Sequence, residues 1–220
     1  MEVASSSAAP APTRRRRKAA RPAELIEAAV EVFAEKGFAA ARLEEVARRA
    51  GVSKGTAYLY FPNKEALFKA AVHEVVVTRI AMGERDVEEW QGSSEELLRH
   101  MLEQWASVVR SRQGGLLKLI VAEAGNFPEL AAWYHQEVAE RGHRLFCAVL
   151  RSGIARGEFR PVDIEATAHV IACPMAFRAI WTHSLGRYET PALADERFYH
   201  TYFSLVLAGL RAEGEREART

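Results

Sequence analysis

The residues best suited to chemistry lie between positions 43 and 64. Lys54, Gly55, Thr56 and Tyr58 share one short stretch, with Ser53 before it and Tyr60 and Lys64 behind it. A cation, a hydroxyl, a phenol and a bare backbone within two turns are groups that bond base edges and phosphates. Arg14-Arg15-Arg16-Arg17-Lys18 gives five consecutive positive charges. That run suits a minor-groove or phosphate-tracking arm, and a solubilising tail has the same composition. His143 and Cys147 stand at i, i+4, but no further ligand pattern surrounds them, so no metal site is expected. There is no Gly-rich phosphate loop after a strand and no Gly-x-Ser-x-Gly motif. No catalytic residue and no cofactor are expected.

The elements that must hold these groups are short helices. Leu43, Val46, Ala47 and Ala50 share one face of a helix that Gly51 breaks. Ser53 can cap the next helix, about residues 54–61, which stops at Pro62. Two short helices joined by a tight glycine-containing turn form a helix-turn-helix. Its second helix fits the major groove and presents its N-terminal residues to the bases. Upstream, Pro22 suits a first helical turn. Leu25, Ile26, Ala29, Val32 and Phe33 then form an apolar face that ends at Gly37. Residues 1–20 are expected to be a disordered basic arm, and residues 21–66 a three-helix DNA-binding domain.

Residues 67–220 read as a larger helical bundle, giving about nine helices in an all-α chain. Asn63 and Asp163 stand where caps belong. Met101, Trp105, Tyr134, His169, Cys173 and Phe177 are spread over three helices of this bundle. Such residues are core by default, but a cavity between bundle helices is a common ligand site. His169, Cys173 and Phe177 share a face at i, i+4, i+8, which suits a pocket or an interface. Helices at about 163–184 and 194–213 are apolar over too wide an arc for one-sided packing, which suits a homodimer.

Composition sets the outer limits. The 220 residues are 49% hydrophobic and 27% charged, with a net charge of +1, as in ordinary globular proteins. Charge is divided along the chain: residues 1–64 hold 12 Lys/Arg against 7 Asp/Glu, and the remainder 18 against 22. A basic first third suits an acidic partner. Two cysteines build no disulfide framework and suit a reducing compartment. The N-terminus lacks the apolar segment of a signal peptide. The longest apolar run, Val170–Phe177, is eight residues, where a membrane span needs about 20. A cytoplasmic protein with no membrane partner is expected.

The stretch Gly51-Val-Ser-Lys-Gly-Thr-Ala-Tyr-Leu-Tyr-Phe-Pro-Asn-Lys-Glu-Ala-Leu-Phe68 closely resembles the DNA-binding segment of the TetR family of bacterial transcriptional regulators. The likeness reaches back through Leu25-Ile26, Ala28-Ala29, Phe33 and Gly37-Phe38 to Val46-Ala47, covering about residues 22–70. It implies a helical homodimer with a ligand-binding domain, read here as a repressor released from a palindromic duplex operator by a small effector. No run of basic residues lies on the faces of Met101, Trp105, Tyr134, His169, Cys173 and Phe177, so a mainly apolar effector is expected. It assigns Ser53, Lys54, Gly55, Thr56 and Tyr58 to base recognition, and Tyr60 and Lys64 to phosphates. The family carries a Ser/Thr pair before the second helix, and here Ala41-Arg42 stands there. Arg42 either reaches a phosphate or is solvated. A DNA-binding regulator without an effector, an activator, and a helical enzyme or interaction module are the alternatives.

Overall fold

A computed structural model describes residues 14–190 and 195–212. The helices in chain order are α1 (Arg14–Ala40), α2 (Leu43–Arg49), α3 (Lys54–Tyr60), α4 (Lys64–Val72), α5 (Thr78–Glu89), α6 (Ser94–Arg110), α7 (Gly115–Glu123), α8 (Pro128–Tyr134), α9 (Arg141–Ala155), α10 (Ile164–Thr182) and α11 (Asp195–Leu210). Wide π turns at His73–Val77 and His135–Glu140 join α4 to α5 and α8 to α9. The eleven segments therefore form nine rods among the described residues. These residues contain no strand, only an isolated bridge between Phe159 and Arg211.

α1 starts at Arg14, ahead of Pro22, which lies inside it. The helix thus begins eight residues before the proline expected to open it. The reason is composition: Arg, Lys and Ala are strong helix formers, and they extend the helix N-terminal to the proline. The first thirteen residues of the expected arm lie outside the described residues. Leu25, Ala29, Val32 and Phe33 are buried along one stripe of α1. Gly37 then leaves helical geometry at φ 76°, a conformation a β-carbon disfavours. The chain bends there and Phe38 turns inward. Phe33, Phe38 and Phe68 form a triangle of rings with centroids 5.2–5.6 Å apart. This triangle fastens α4 to α1.

Side-chain caps begin four of the helices. Ser53 accepts from Thr56 N at 3.1 Å, Asn63 from Ala66 N at 2.8 Å and Asp163 from Ala166 N at 3.0 Å. Ser93 and Glu96 form a reciprocal capping box at α6. α5 to α10 pack as a bundle, with Leu98, Leu102, Leu150, Ile171 and Met175 fully buried. Arg178 of α10 is 6% exposed. It makes a two-pronged bond to Glu189 at 2.6 and 2.7 Å and another to Asp195 at 2.8 Å. That ion cluster ties α10 to the turn after it and to the start of α11.

Candidate nucleic-acid interface and effector cavity

α2 is set on α1 by ion pairs as well as by its buried Leu43, Val46 and Ala47. Lys36 meets Glu45 at 2.7 Å, and Arg49 bonds Glu35 with both prongs at 2.7 Å. α2 has no side-chain cap: Arg42 occupies the cap position, exposed, and only its carbonyl takes part, accepting from Glu45 N and Val46 N. Gly51 turns the chain at φ 67°. Val52 N then bonds Ala47 O at 2.9 Å, and α3 departs with Ala57 fully buried beneath it.

The outer face of α3 carries Lys54, Gly55, Tyr58 and Leu59, all exposed, with Thr56 at its margin. Ser53 and Thr56 are joined through their hydroxyls at 2.8 Å, so each orients the other. A β-carbon at Gly55 would meet only Ser53 Oγ, at 4.0 Å. The fold therefore makes no demand for glycine there, and the bare backbone is offered outward. Tyr60 is half-buried behind this face.

Sequence reasoning missed Glu44. Its carboxylate accepts from Lys54 Nζ at 2.8 Å and from the Tyr58 hydroxyl at 3.1 Å. The Lys54 ammonium, the backbone amide of Glu44 itself and Tyr58 hold this carboxyl down at about 2. Without DNA, an anion thus occupies two of the expected base-reading groups. The spacing from Glu44 to Lys54 crosses the turn, so no single-helix periodicity reveals it.

Lys64 sits at the seam between the two halves of the molecule. Its ammonium donates to Phe38 O at 3.0 Å and Ala39 O at 2.8 Å, over the rings of Phe38 and Phe127. An ammonium has three donors, and these carbonyls take two of them. Phe127, just before α8, packs edge-on against Phe38 at 4.8 Å. Glu123 of α7 accepts from Ala39 N at 3.3 Å. The end of α1 is thereby linked to the α7–α8 turn.

Behind that seam lies a cavity of about 490 Å³, bounded by α5 to α10. Met101, Trp105, Tyr134, His169 and Cys173 are on its wall. Phe177 is not, which corrects its grouping with His169 and Cys173. Residues four apart drift by about 40° per step around a helix. The wall accordingly continues from His169 through Ala172 and Cys173 to Ala176, while Phe177 turns outward at 61% exposure. The lining is mostly apolar, with polar groups at its edges. Arg79 bonds Gln104 at 2.9 Å, Asp86 lies 3.4 Å from His100, and His143 packs on His169. Burial pushes the Tyr134 phenol well up, so it stays neutral. The π turn at His135–Glu140 contributes Val138 and Ala139 to the wall. Such wide turns re-aim side chains and recur at functional sites.

A family model for bacterial regulatory proteins of the tetR family matches residues 25–71. A second, for the tetracyclin repressor-like C-terminal domain, matches residues 88–196. The uncharacterized HTH-type transcriptional regulator YdeS of Bacillus subtilis is 27% identical over 72% of this chain and 77% of its own length. The fatty acid metabolism regulator protein of Bacillus subtilis is 39% identical over 34% of this chain and 38% of its own. Among solved structures, the transcriptional regulator FadR from Bacillus subtilis in complex with stearoyl-CoA superposes with a TM-score of 0.71 at 22% identity, covering 85% of this chain and 98% of that one. The ketosteroid transcriptional regulator KstR2 of Mycobacterium tuberculosis gives 0.67 at 21% identity, covering 88% and 96%. With both halves of the architecture matched in their own segments, the chain belongs to the TetR family of DNA-binding transcriptional regulators.

Proposed function

We propose that this regulator is a cytoplasmic homodimer that represses transcription from a near-palindromic operator and is released by a small, mainly apolar effector. The cavity carries this reading. It is large enough for a drug-sized molecule, and it touches the DNA-binding half through two routes, one along the chain and one by packing. One is the rod from α4 into α5, whose Ile80 and Gly83 line the cavity. The other is the α7–α8 turn, which bears on Phe38 and Lys64. An effector that fits the cavity better in one arrangement of these rods shifts the spacing of the two α3 helices, by differential affinity alone. The fatty acid and ketosteroid regulators that resemble it are named for apolar molecules, in keeping with this lining.

At the DNA, Lys54, Gly55, Thr56 and Tyr58 read bases, and the exposed Leu59 offers an apolar contact to a thymine methyl. Ser53 holds Thr56 in place, while Arg42, Tyr60 and the remaining donor of Lys64 take phosphates. The basic run Arg14–Lys18 adds attraction for the backbone. Residues 1–20, 21–66 and 67–220 then serve as basic arm, DNA reader, and effector and dimer domain. Dimerisation uses α10 and α11, where Val170, Phe177 and Leu205 are exposed at 68%, 61% and 69%, an apolar set a monomer has no reason to present.

The test is selection of bound duplex from a random pool with the purified full chain, followed by titration of fatty acyl and steroid probes against the complex. A dimer on an inverted repeat, released by an apolar probe, is expected. A monomer, or an operator complex indifferent to every probe that binds the cavity, overturns the corresponding part.

A further inference from the structure

We infer that the protein carries a binding site for a zinc-type divalent ion at the edge of the cavity, built by His143, Cys147 and Glu165. The sequence shows only a His/Cys pair. The fold adds the third donor: α9 places His143 and Cys147 on one face, and the first turn of α10 brings Glu165 across to them. Cys147 Sγ lies 3.3 Å from Glu165 Oε2 and 3.7 Å from His143 Nε2. His143 Nε2 lies 3.6 Å from Glu165 Oε2. A tetrahedral ion with zinc–sulfur, zinc–nitrogen and zinc–oxygen bonds of about 2.3, 2.0 and 2.1 Å requires its ligand atoms to stand about 3.4–3.6 Å apart. All three edges of the observed triangle fall within about 0.3 Å of that requirement. Thiolate, imidazole and carboxylate together suit a borderline-soft divalent ion and not magnesium or calcium.

The surroundings fit as well. His143 Nε2 and His169 Nδ1 both lie near the carbonyl of Glu165, at 3.2 and 3.1 Å. When His143 turns to a metal, His169 keeps that carbonyl paired. Both imidazoles line the cavity, which gives an ion a way in, and Glu165 is largely exposed. The ion displaces the Cys147 thiol proton to solvent. Three protein ligands leave a fourth position for water, beside the His169 ring. This inference does not depend on DNA binding or on the nature of the effector.

The experiment is a Co²⁺ titration of the tag-free full chain, followed by competition with Zn²⁺. One equivalent per chain is expected, with a sulfur-to-cobalt charge-transfer band and strong visible bands of tetrahedral cobalt, both erased by Zn²⁺. Cys147→Ser abolishes the charge-transfer band, and Cys173→Ser leaves it intact. Glu165→Gln, at an exposed position, leaves the melting curve in chelator unchanged. It weakens cobalt binding by more than about tenfold, since a ligand counts for at least as much as the groups that orient one. Failure of the wild-type chain to bind stoichiometric cobalt, a band that survives Cys147→Ser, or wild-type affinity in Glu165→Gln overturns the site. Should Cys147→Ser fail to fold, the Glu165→Gln affinity decides alone.

Discussion

The two halves of the molecule treat their interiors in opposite ways. In α1 to α4 the core is closed: Phe33, Phe38 and Phe68 touch one another and are at most 1% exposed. In the bundle, Met101, Trp105 and Tyr134 stand around about 490 Å³ of space. A DNA reader must present α3 at a fixed angle, so its interior is filled. If the bundle is the effector receptor proposed above, it must change with its occupant, and an open interior with π turns in its rods suits that. Lys64, Phe38 and Phe127 lie where the filled interior meets the open one.

Matched truncations break or sharpen this contrast. Phe68→Ala removes a ring from a filled core and costs about 3–5 kcal/mol. At roughly 2–4 °C per kcal/mol for a chain of this size, the melting temperature falls by roughly 6–20 °C. Trp105→Ala removes a larger ring from a wall that already faces space, and its cost stays below about 2 kcal/mol. Its main effect is a changed effector response. Equal melting losses in the two variants would show that the cavity wall is ordinary core.

A comparable loss is expected at the far end of the bundle, where charge and not packing does the holding. Arg178→Ala strands Glu189 and Asp195 without their cation, at a cost of about 3–5 kcal/mol. This effect has a definite pH dependence. Arg178 holds the Glu189 carboxyl below its ordinary 4.5. A carboxyl depressed in the folded state contributes stability above its unfolded value and loses it as pH falls through the folded one. The melting-temperature gap between wild type and Arg178→Ala is therefore widest near neutrality and narrows below about pH 4.5. A gap independent of pH would remove the ion cluster from the explanation.

At α3 the effects are on binding. Lys54→Ala relaxes preference at particular base pairs by about 1–3 kcal/mol. Glu44→Gln acts the other way. It removes the carboxylate that holds Lys54 and Tyr58 and strengthens binding to all duplexes. Because Glu44 is held at about 2, it is ionised throughout the working range, and the gain is the same at pH 6 and pH 8. Binding assays at both values check this, and a weaker Glu44→Gln complex would mean that Glu44 positions the lysine for DNA.

How much was legible in the sequence follows from how local each signal is. Ser53, Asn63 and Asp163 cap helices because their partners lie three residues away. Gly37 and Gly51 adopt positive φ where the helical patterns stop. The helix-turn-helix is legible for the same reason. Pro22 misled because a proline marks a permitted helix start, not an obligatory one, and the basic residues ahead of it favour helix. Phe177 misled because an i, i+4, i+8 series is not a straight line on a helix of 3.6 residues per turn. Glu44 with Lys54, and Glu165 with His143 and Cys147, were out of reach because each pairing needs the packing of separate helices.

The smallest expected effect falls on the seam. Lys64 binds two α1 carbonyls and has one donor left for a phosphate, so Lys64→Ala loses two things that separate measurements can resolve. Loss of the phosphate contact lowers the slope of log affinity against log salt by about one unit, equally on good and poor operators. Loss of the carbonyl contacts loosens α1 against α4 and Phe127, which lowers the melting temperature by an amount that salt does not alter, since the group is half-buried. Lys64→Arg keeps a cation that can reach a phosphate but cannot place a compact ammonium between Phe38 O and Ala39 O. It retains the salt slope and loses the thermal contribution. An unchanged salt slope in Lys64→Ala, with the melting temperature reduced, would leave Lys64 as a clasp between the filled and open halves and take it out of the DNA interface.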